Sequence, residues 1–462
     1  MEGYSSNTDV FHVPMLDSTS NRQELTPFYP VVNPENSTAP LEFNIAGMPN
    51  TYLDLKSSLL YLKVKVNETT VVPPITETAV IVPTTETTTE TTTETGEKTE
   101  EKTDSANNKK TKTETVDLKE KKYEDLDLAP SNNFLHTLFD LIEVYINGKL
   151  ISTKEYYNYS AYIITRLSYT SDYKTTVLLN ALYARDYNTD TLGPLNTGFS
   201  IRAMALAKQN PLEMIGHFFH DLFLQPKYML PNVSVRIKMR RTSPEFSLLC
   251  KNVKRTFQLE FTDAIFYCKR IVLQPQLAAF HQKELEMNRV ARYSFIDSTI
   301  KSVPISKGAT NMVIENLYPQ SQLPAQLIVG FVETAAFNGS LNKSPYFFQN
   351  FNLSNIKVSV NNDETQRQEY KYNSKTNSCI VGYQAFLDAL KMNDGLDMDQ
   401  SSWYKYDFLQ IFTLHSSDGK NNGTLSIELT FQSPLENPIT MIVMSQKPQV
   451  MTIDKFGIAN IE

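Results

Sequence analysis

The chain is poor in the residues that most often announce a function: its 462 residues hold three Cys, one Trp and 15 Gly. Cys250, Cys268 and Cys379 stand far apart with no CxxC pair. That spacing excludes a disulfide framework or a zinc ribbon and predicts reduced, buried thiols. Scarce glycine goes with missing phosphate and nucleophile motifs. There is no GxGxxG and no GxSxG. Gly148-Lys149 fails as a Walker loop, because Glu143 stands where the upstream glycine belongs and Leu150 follows the lysine. The opening "MEGYSSNTDVFHVPMLD" has neither a basic start nor an apolar run, and no stretch reaches the roughly 18–20 apolar residues of a membrane span. The expectation is a protein made and folded inside a cell. NxS/T triplets such as those at Asn36, Asn67 and Asn232 then read as accidents of an Asn/Ser/Thr-rich text. A net charge of −7 gives no global basic surface, so sequence-specific nucleic-acid binding is not expected.

What the chain does have is aromatic and alternating. It holds 24 Tyr and 25 Phe, a composition suited to pleated, half-buried surfaces, in a length that implies two or three domains. Residues 1–40 carry Pro14, Pro27, Pro30, Pro34 and Pro40 and read as an extended N-terminal arm. In 41–66, Leu60, Leu62, Val64 and Val66 alternate with Tyr61, Lys63 and Lys65, the pattern of a strand with one buried face. Residues 84–115 contain no aromatic and, beyond Ala106, no aliphatic side chain. They cannot offset an ordering entropy of about 1–2 kcal/mol per residue. This predicts a disordered Thr/Glu-rich insertion over 73–122, inside the first domain because too few residues precede it to fold alone.

Two later stretches share one rhythm. "FDLIEVYINGKLIS" (139–152) reads as a hairpin around Asn147-Gly148, and "FNLSNIKVSVNNDET" (351–365) as another around Asn361-Asn362. A helical pattern follows each: Tyr156, Tyr159, Ile163 and Leu167 in the first, Val381, Ala385, Phe386 and Leu390 in the second. Each half then closes on an alternating strand, with Val233, Val235, Ile237 and Met239 in one and Leu425, Ile427, Leu429 and Phe431 in the other. The same β-domain is therefore expected twice, over 41–245 and 246–445, with a C-terminal tail over 446–462.

Candidate sites are few. His217, His220 and Asp221 in "HFFHD" could bind zinc on a helix, but Phe218, Phe219, Leu222 and Phe223 read as a strand entering a core, where positions three apart diverge. "DGLDMDQ" (394–400) lacks the glycine and glutamate of a calcium loop and reads as an acidic surface loop. "KMRRTS" (238–243), with Lys251, Lys254 and Arg255, is a basic cluster that reads first as the solvated face of a strand, and second as a contact for acidic lipid or nucleic acid. Trp403 is the one seed for a glycan-binding surface, although packing inside the second domain is the simpler reading. No catalytic, cofactor-binding or metal residue is assigned, and an enzyme is the least favoured class.

Three stretches carry a family resemblance by order and spacing: "LEFNIAGMPNTYLDLKSSLLYLKVKV", "NNFLHTLFDLIEVYINGKLIS" with "YYNYSAYIITRLSY", and "FHDLFLQPKYMLPNVSVRIKMRRTSPEFSLL". Together they make the chain resemble the double jelly-roll major capsid proteins, nearest to those of Polinton (Maverick) elements and adintovirus-like viruses. The resemblance implies an all-β fold of two tandem eight-stranded jelly rolls with short helices in loops. It further implies a homotrimeric capsomer of pseudo-hexagonal outline that tiles an icosahedral virion shell. Neighbouring capsomers, a minor (penton) capsid protein and inner-face membrane or core components would be its partners. Synthesis would be in the host cytoplasm, and assembly there or in the nucleus. The insertion would sit on the outer crown, while arm and tail would tie neighbours on the inner side. Relatives often coexist with a protease that favours Gly-Gly sites; this chain has no Gly-Gly pair, so maturation at full length is expected. The alternative class is a non-capsid tandem β-sandwich that binds glycans or serves attachment.

Overall fold

A computed structural model of the chain describes residues 20–35, 39–69, 126–318, 323–361, 367–373, 375–376, 378–390, 395–414 and 423–462. In the first half, strands run as β1 (Ser20–Phe28), β2 (Leu41–Ile45), β3 (Tyr52–Thr69), β4 (Leu128–Pro130), β5 (Phe139–Ile146), β6 (Lys149–Glu155), β7 (Leu212–His217), β8 (Val235–Arg241), β9 (Leu248–Cys250) and β10 (Thr256–Leu273). In the second they are β11 (Ala291–Ile305), β12 (Asn311–Ile314), β13 (Gln326–Glu333), β14 (Leu353–Val360), β15 (Gln368–Lys371), β16 (Leu409–Thr413), β17 (Leu425–Phe431), β18 (Ile439–Ile453) and β19 (Ala459–Ile461).

The first half makes two sheets, β1-β10-β3-β7 and β2-β8-β5-β6; the second makes β11-β18-β13-β16 and β12-β17-β14-β15. Setting aside the short β4–β9 pair and the appended β19, both halves have the same order. The first strand pairs with the last, and the second with the next to last. That is the jelly-roll arrangement, so the fold is two jelly rolls in tandem. Alternation builds each roll. Leu60, Leu62, Val64 and Val66 of β3 are buried, as are Val235, Ile237 and Met239 of β8 and Leu425, Ile427, Leu429 and Phe431 of β17. Helix Pro275–Glu286 bridges the rolls, opened by a proline at its first turn, where the missing N–H costs nothing.

The sheets move the expected limits. Residues 20–28, assigned to the arm, pair with β10 as an edge strand, a place that tolerates Pro27. β10, assigned to the second half, pairs with β3 and completes the first roll. β18 runs through the expected tail, and β19 folds back on it. The reason is one of topology: the alternating strands read as closing strands are the next-to-last in each roll, so each roll has one more strand beyond them. Residues 1–19 and the whole 73–122 insertion lie outside the described residues.

Asn147 and Gly148 have φ of 49° and 82°, the pair of left-handed positions that a two-residue hairpin needs. Asn361 is left-handed too (φ 54°), but β15 starts only at Gln368, so the second hairpin has a longer turn. Helices Tyr157–Ser168 and Ile380–Leu390 sit where the periodicity predicts. They differ in cover. Residues 157–167 are all buried, whereas in the second helix only Gly382 and Phe386 are. Val381, expected on the packed face, is 68% exposed.

Candidate functional site at the seam between the rolls

Helix Tyr157–Ser168 belongs to the first roll by sequence but is enclosed by both. Tyr156, left-handed at φ 53°, turns the chain out of β6 and into the helix. The Tyr162 ring stacks on Tyr346 with centroids 4.1 Å apart, and Tyr159 packs on Phe337, Tyr346 and Phe348. Thr137 and the Tyr346 hydroxyl share a 2.7 Å hydrogen bond. Offset and edge-on ring pairs add about 0.5–1.5 kcal/mol each beyond burial, so this seam resembles a domain core more than a hinge.

One turn further on, the helix delivers a charge. Arg166, 1% exposed, donates from Nε and Nη2 to the two oxygens of Asp407 at 3.2 and 2.7 Å. Its Nη1 donates to Asp397 at 3.0 Å and to the Tyr183 hydroxyl at 3.0 Å. Lys174 reaches the other Asp397 oxygen at 2.6 Å, and Arg185 stands 3.7 Å from that carboxylate. All the cations come from the first roll and both carboxylates from the second. Burial opposes the Arg166 charge, but Asp407, Tyr183 and Asp397 overcome it and hold the guanidinium well above its ordinary value. Burial and then Arg166 push Lys174 down to about 8. Asp397 feels burial raising its pKa, yet Arg166 and Lys174 bring it below the usual carboxylate range.

A second buried cluster crosses the seam halfway along β11. Lys154 of β6 pairs with Asp221 of its own roll and, at 2.8 Å, with Asp297 of the other. The Ser298 amide donates to Asp221 at 2.6 Å. Burial raises the Asp221 pKa against the pull of Lys154. At the end carrying the β5–β6 turn, Asn147 donates to the Gly457 carbonyl at 2.7 Å and Lys149 to Asn460 at 2.6 Å, so the C-terminal segment is tied to the first roll.

The sequence candidates fall into this frame. The chain leaves its strand at His217, and His220 caps the short helix Asp221–Leu224 by accepting from the Leu222 amide. Residues 218–220 are therefore not strand, and Asp221 turns to the seam. Among the described residues no group of three His, Cys, Asp or Glu could hold a metal ion. "DGLDMDQ" is not the acidic surface loop expected: Asp397 is buried against Arg166 and Lys174, and Asp399 caps helix Gln400–Tyr406. Within the basic cluster Arg240 pairs across strands with Asp140 at 2.8 Å and Lys238 with Glu143, as their neighbour Arg236 does with Glu42. Arg255 joins Glu68, at the end of β3, to Asp127, where the described chain resumes beyond 70–125, at 2.7 and 2.8 Å. Trp403 is fully buried, on helix Gln400–Tyr406 inside the second roll, and donates to the Leu409 carbonyl at 3.1 Å. The three thiols are buried and unbridged. Sequence reasoning missed Arg166 and Lys174 on helices and Lys154 on β6, because a lone cation reads as solvated until a partner roll covers it.

Fold and seam together define a double jelly roll whose two rolls share buried ring and ion-pair contacts. Over its full length the chain is similar to a chain of the Sputnik virophage, seen by cryo-EM, with a TM-score of 0.61, 10% identity and 92% of that chain covered. It is similar also to the mavirus major capsid protein, with a TM-score of 0.52, 9% identity, and 99% and 93% of the two chains covered. By sequence, an uncharacterised protein of Caenorhabditis elegans is 24% identical over 233 residues, 50% of this chain. The chain spans 54% of the length of that relative. No protein-family model matches the chain.

Proposed function

We propose that the protein is a major capsid protein, three copies of which form a pseudo-hexagonal capsomer of an icosahedral virion shell. The observation that carries this reading is the repetition itself. Two rolls of one strand order stand fused by a buried seam, so a ring of three chains offers six similar blocks with closed symmetry. The full-length likeness to the mavirus major capsid protein supports it. Contacts between copies are then obligate and exceed about 2,000 Å². A minor penton protein fills the fivefold positions. The stretches at 41–66, 132–152 and 219–249 favour nearness to Polinton and adintovirus-like capsids, and a worm relative suits a gene carried in animal genomes. The chain is made in the host cytoplasm and works in the virion without a catalytic step. A glycan-binding module loses its seed with Trp403 inside the second roll.

Native mass and negative-stain imaging of the purified protein test the reading. Three chains of 52.6 kDa give about 158 kDa with a hexagonal outline. A monomer at every salt and protein concentration would sink it.

A further inference from the structure

We propose that Lys154 and Asp221 condense to an amide, a covalent cross-link within the first roll that forms only when the second roll is docked against it. The inference goes beyond the capsid reading and does not depend on it.

The groups that such a bond needs are already in contact. The Lys154 amine lies against Asp221, and it donates to Asp297 at 2.8 Å and to the Ser298 carbonyl. The Lys154 and Asp221 side chains are each 4% exposed, and that of Asp297 is 23% exposed. Two carboxylates against one ammonium leave a negative charge over in a site with little water, and a retained proton relieves it. Burial, helped by Asp297, raises the Asp221 pKa against the pull of Lys154 and the Ser298 amide, so Asp221 is where that proton rests. A neutral carboxyl is open to attack by an amine; a carboxylate is not. Before closure the three groups are the ion pairs described above.

Each atom then has a role. Asp297 takes one proton from the Lys154 ammonium, and the freed Nζ lone pair forms a bond to Cγ of Asp221. The Ser298 amide, 2.6 Å from Oδ2, donates to the oxygen on which charge develops. The Cγ–Oδ1 bond breaks with its electron pair on the oxygen, and the hydroxyl takes a second amine proton and leaves as water. The products are one amide, one water and a protonated Asp297, which is exposed enough to return its proton to solvent. Holding amine and carboxyl in contact replaces a bimolecular encounter and lets so slow a condensation proceed.

The Arg166 cluster has the same pair of groups without the same chemistry. Lys174 touches the buried carboxylate of Asp397 at 2.6 Å. There Arg166 and Lys174 overcome burial and keep the carboxyl below its usual range, so it stays an anion. Among the described residues Asp221 has Lys154 as its one ion-pair partner, and burial, then Lys154, keeps the adjacent His220 neutral.

The two rolls divide the work. Amine and carboxyl come from β6 and the short helix after β7, in the first roll. The base and the polarising amide both come from β11, in the second. A chain whose rolls have not met therefore lacks the means to close the bond, and the amide is a lasting record that they did.

The test is the intact mass of the full folded chain, followed over days near neutral pH and completed by peptide mapping. The expected result is the loss of one water, present at isolation or growing with time, together with a branched peptide that joins the segments around Lys154 and Asp221. Asp297→Asn keeps amine and carboxyl but removes the base, and is expected to slow closure about a hundredfold. Lys154→Arg abolishes the branched peptide. The wild-type chain decides the matter whether or not the variants fold: an unchanged mass, or a water lost within a single unbranched peptide, overturns the cross-link. A branched peptide that Asp297→Asn forms at the wild-type rate overturns its dependence on the second roll.

Discussion

The Arg166 and Lys154 clusters both carry buried charge across the seam, but they divide it differently between the rolls. Arg166 and Lys174 face carboxylates that all come from the other roll, Asp397 and Asp407. Lys154 has one carboxylate from each side, Asp221 of its own roll and Asp297 of the other. Separating the rolls would strip Arg166 of both partners while Lys154 kept one. The first cluster therefore reports on the seam itself, and the second on how the turn after β7 is anchored beneath it.

Substitution at the two cations should separate these roles. Arg166→Ala leaves buried Asp407 without its ion-pair partner and Asp397 with Lys174 and Arg185 alone, and is expected to cost about 3–5 kcal/mol, read as a fall in the denaturant midpoint. Lys154→Ala should cost less, about 1–3 kcal/mol, because Asp221 already has a raised pKa and can take up a proton. Equal losses at the two sites would break the distinction.

Acid titration sharpens it, because the carboxylates are shifted in opposite directions. Asp397 is lowered on folding, so its stabilisation is complete above the unfolded value near 3.8 and is lost as pH falls through its folded value. The wild-type advantage over Asp397→Asn should shrink below about pH 4. Asp221 is raised, so the folded state holds its proton longer than the unfolded one. Wild type should gain on Asp221→Asn as pH falls from 7 towards 4. Melting curves of both variants across that range would show parallel trends if the two clusters were alike. On the alkaline side, Lys174 is depressed to about 8, so its burial penalty fades between pH 8 and its unfolded value.

Smaller effects lie in the turns. Gly148→Val puts a β-branched residue at φ 82° and is expected to cost about 1–2 kcal/mol. Asn361→Ala, at the longer turn of the second roll, should cost less than 1 kcal/mol. Deleting residues 84–115 should shift stability by no more than about 1 kcal/mol, since closure entropy grows only logarithmically with loop length and Arg255 ties Glu68 to Asp127 regardless. Loss of soluble oligomer on that deletion would make the segment structural.

The rolls were legible in sequence wherever one face of a strand meets water. β3, β8 and β17 alternate, and Asn147-Gly148 marks its turn by the backbone angles it permits. β1 was not legible, because the edge strand "SNRQELTPF" carries too little apolar patterning to stand out from an arm. The boundary failed with it, since a roll whose first strand is missed also loses the partner that identifies its last. Asp397 was misread for a different reason. An acidic residue among Gly and Met looks solvated, and only the approach of Arg166 from some 230 residues away makes it a buried ion. Charge burial between domains leaves no local period to detect.

The pairing of β1 with β10 also sets the order of events when the chain is made. Arg22 lies beside Val272, so the first sheet cannot close until nearly the whole first roll has left the ribosome. Until then β3 and β7 have an unpaired edge, and contacts so distant in sequence form slowly, on the millisecond-to-second scale or beyond. Nascent chains stopped before residue 256 should be aggregation-prone, and those released after 273 should resist protease, a step that pulse proteolysis of arrested chains would resolve. The strand that completes the roll thus also acts as a synthesis checkpoint: a prematurely ended chain has no closed first roll.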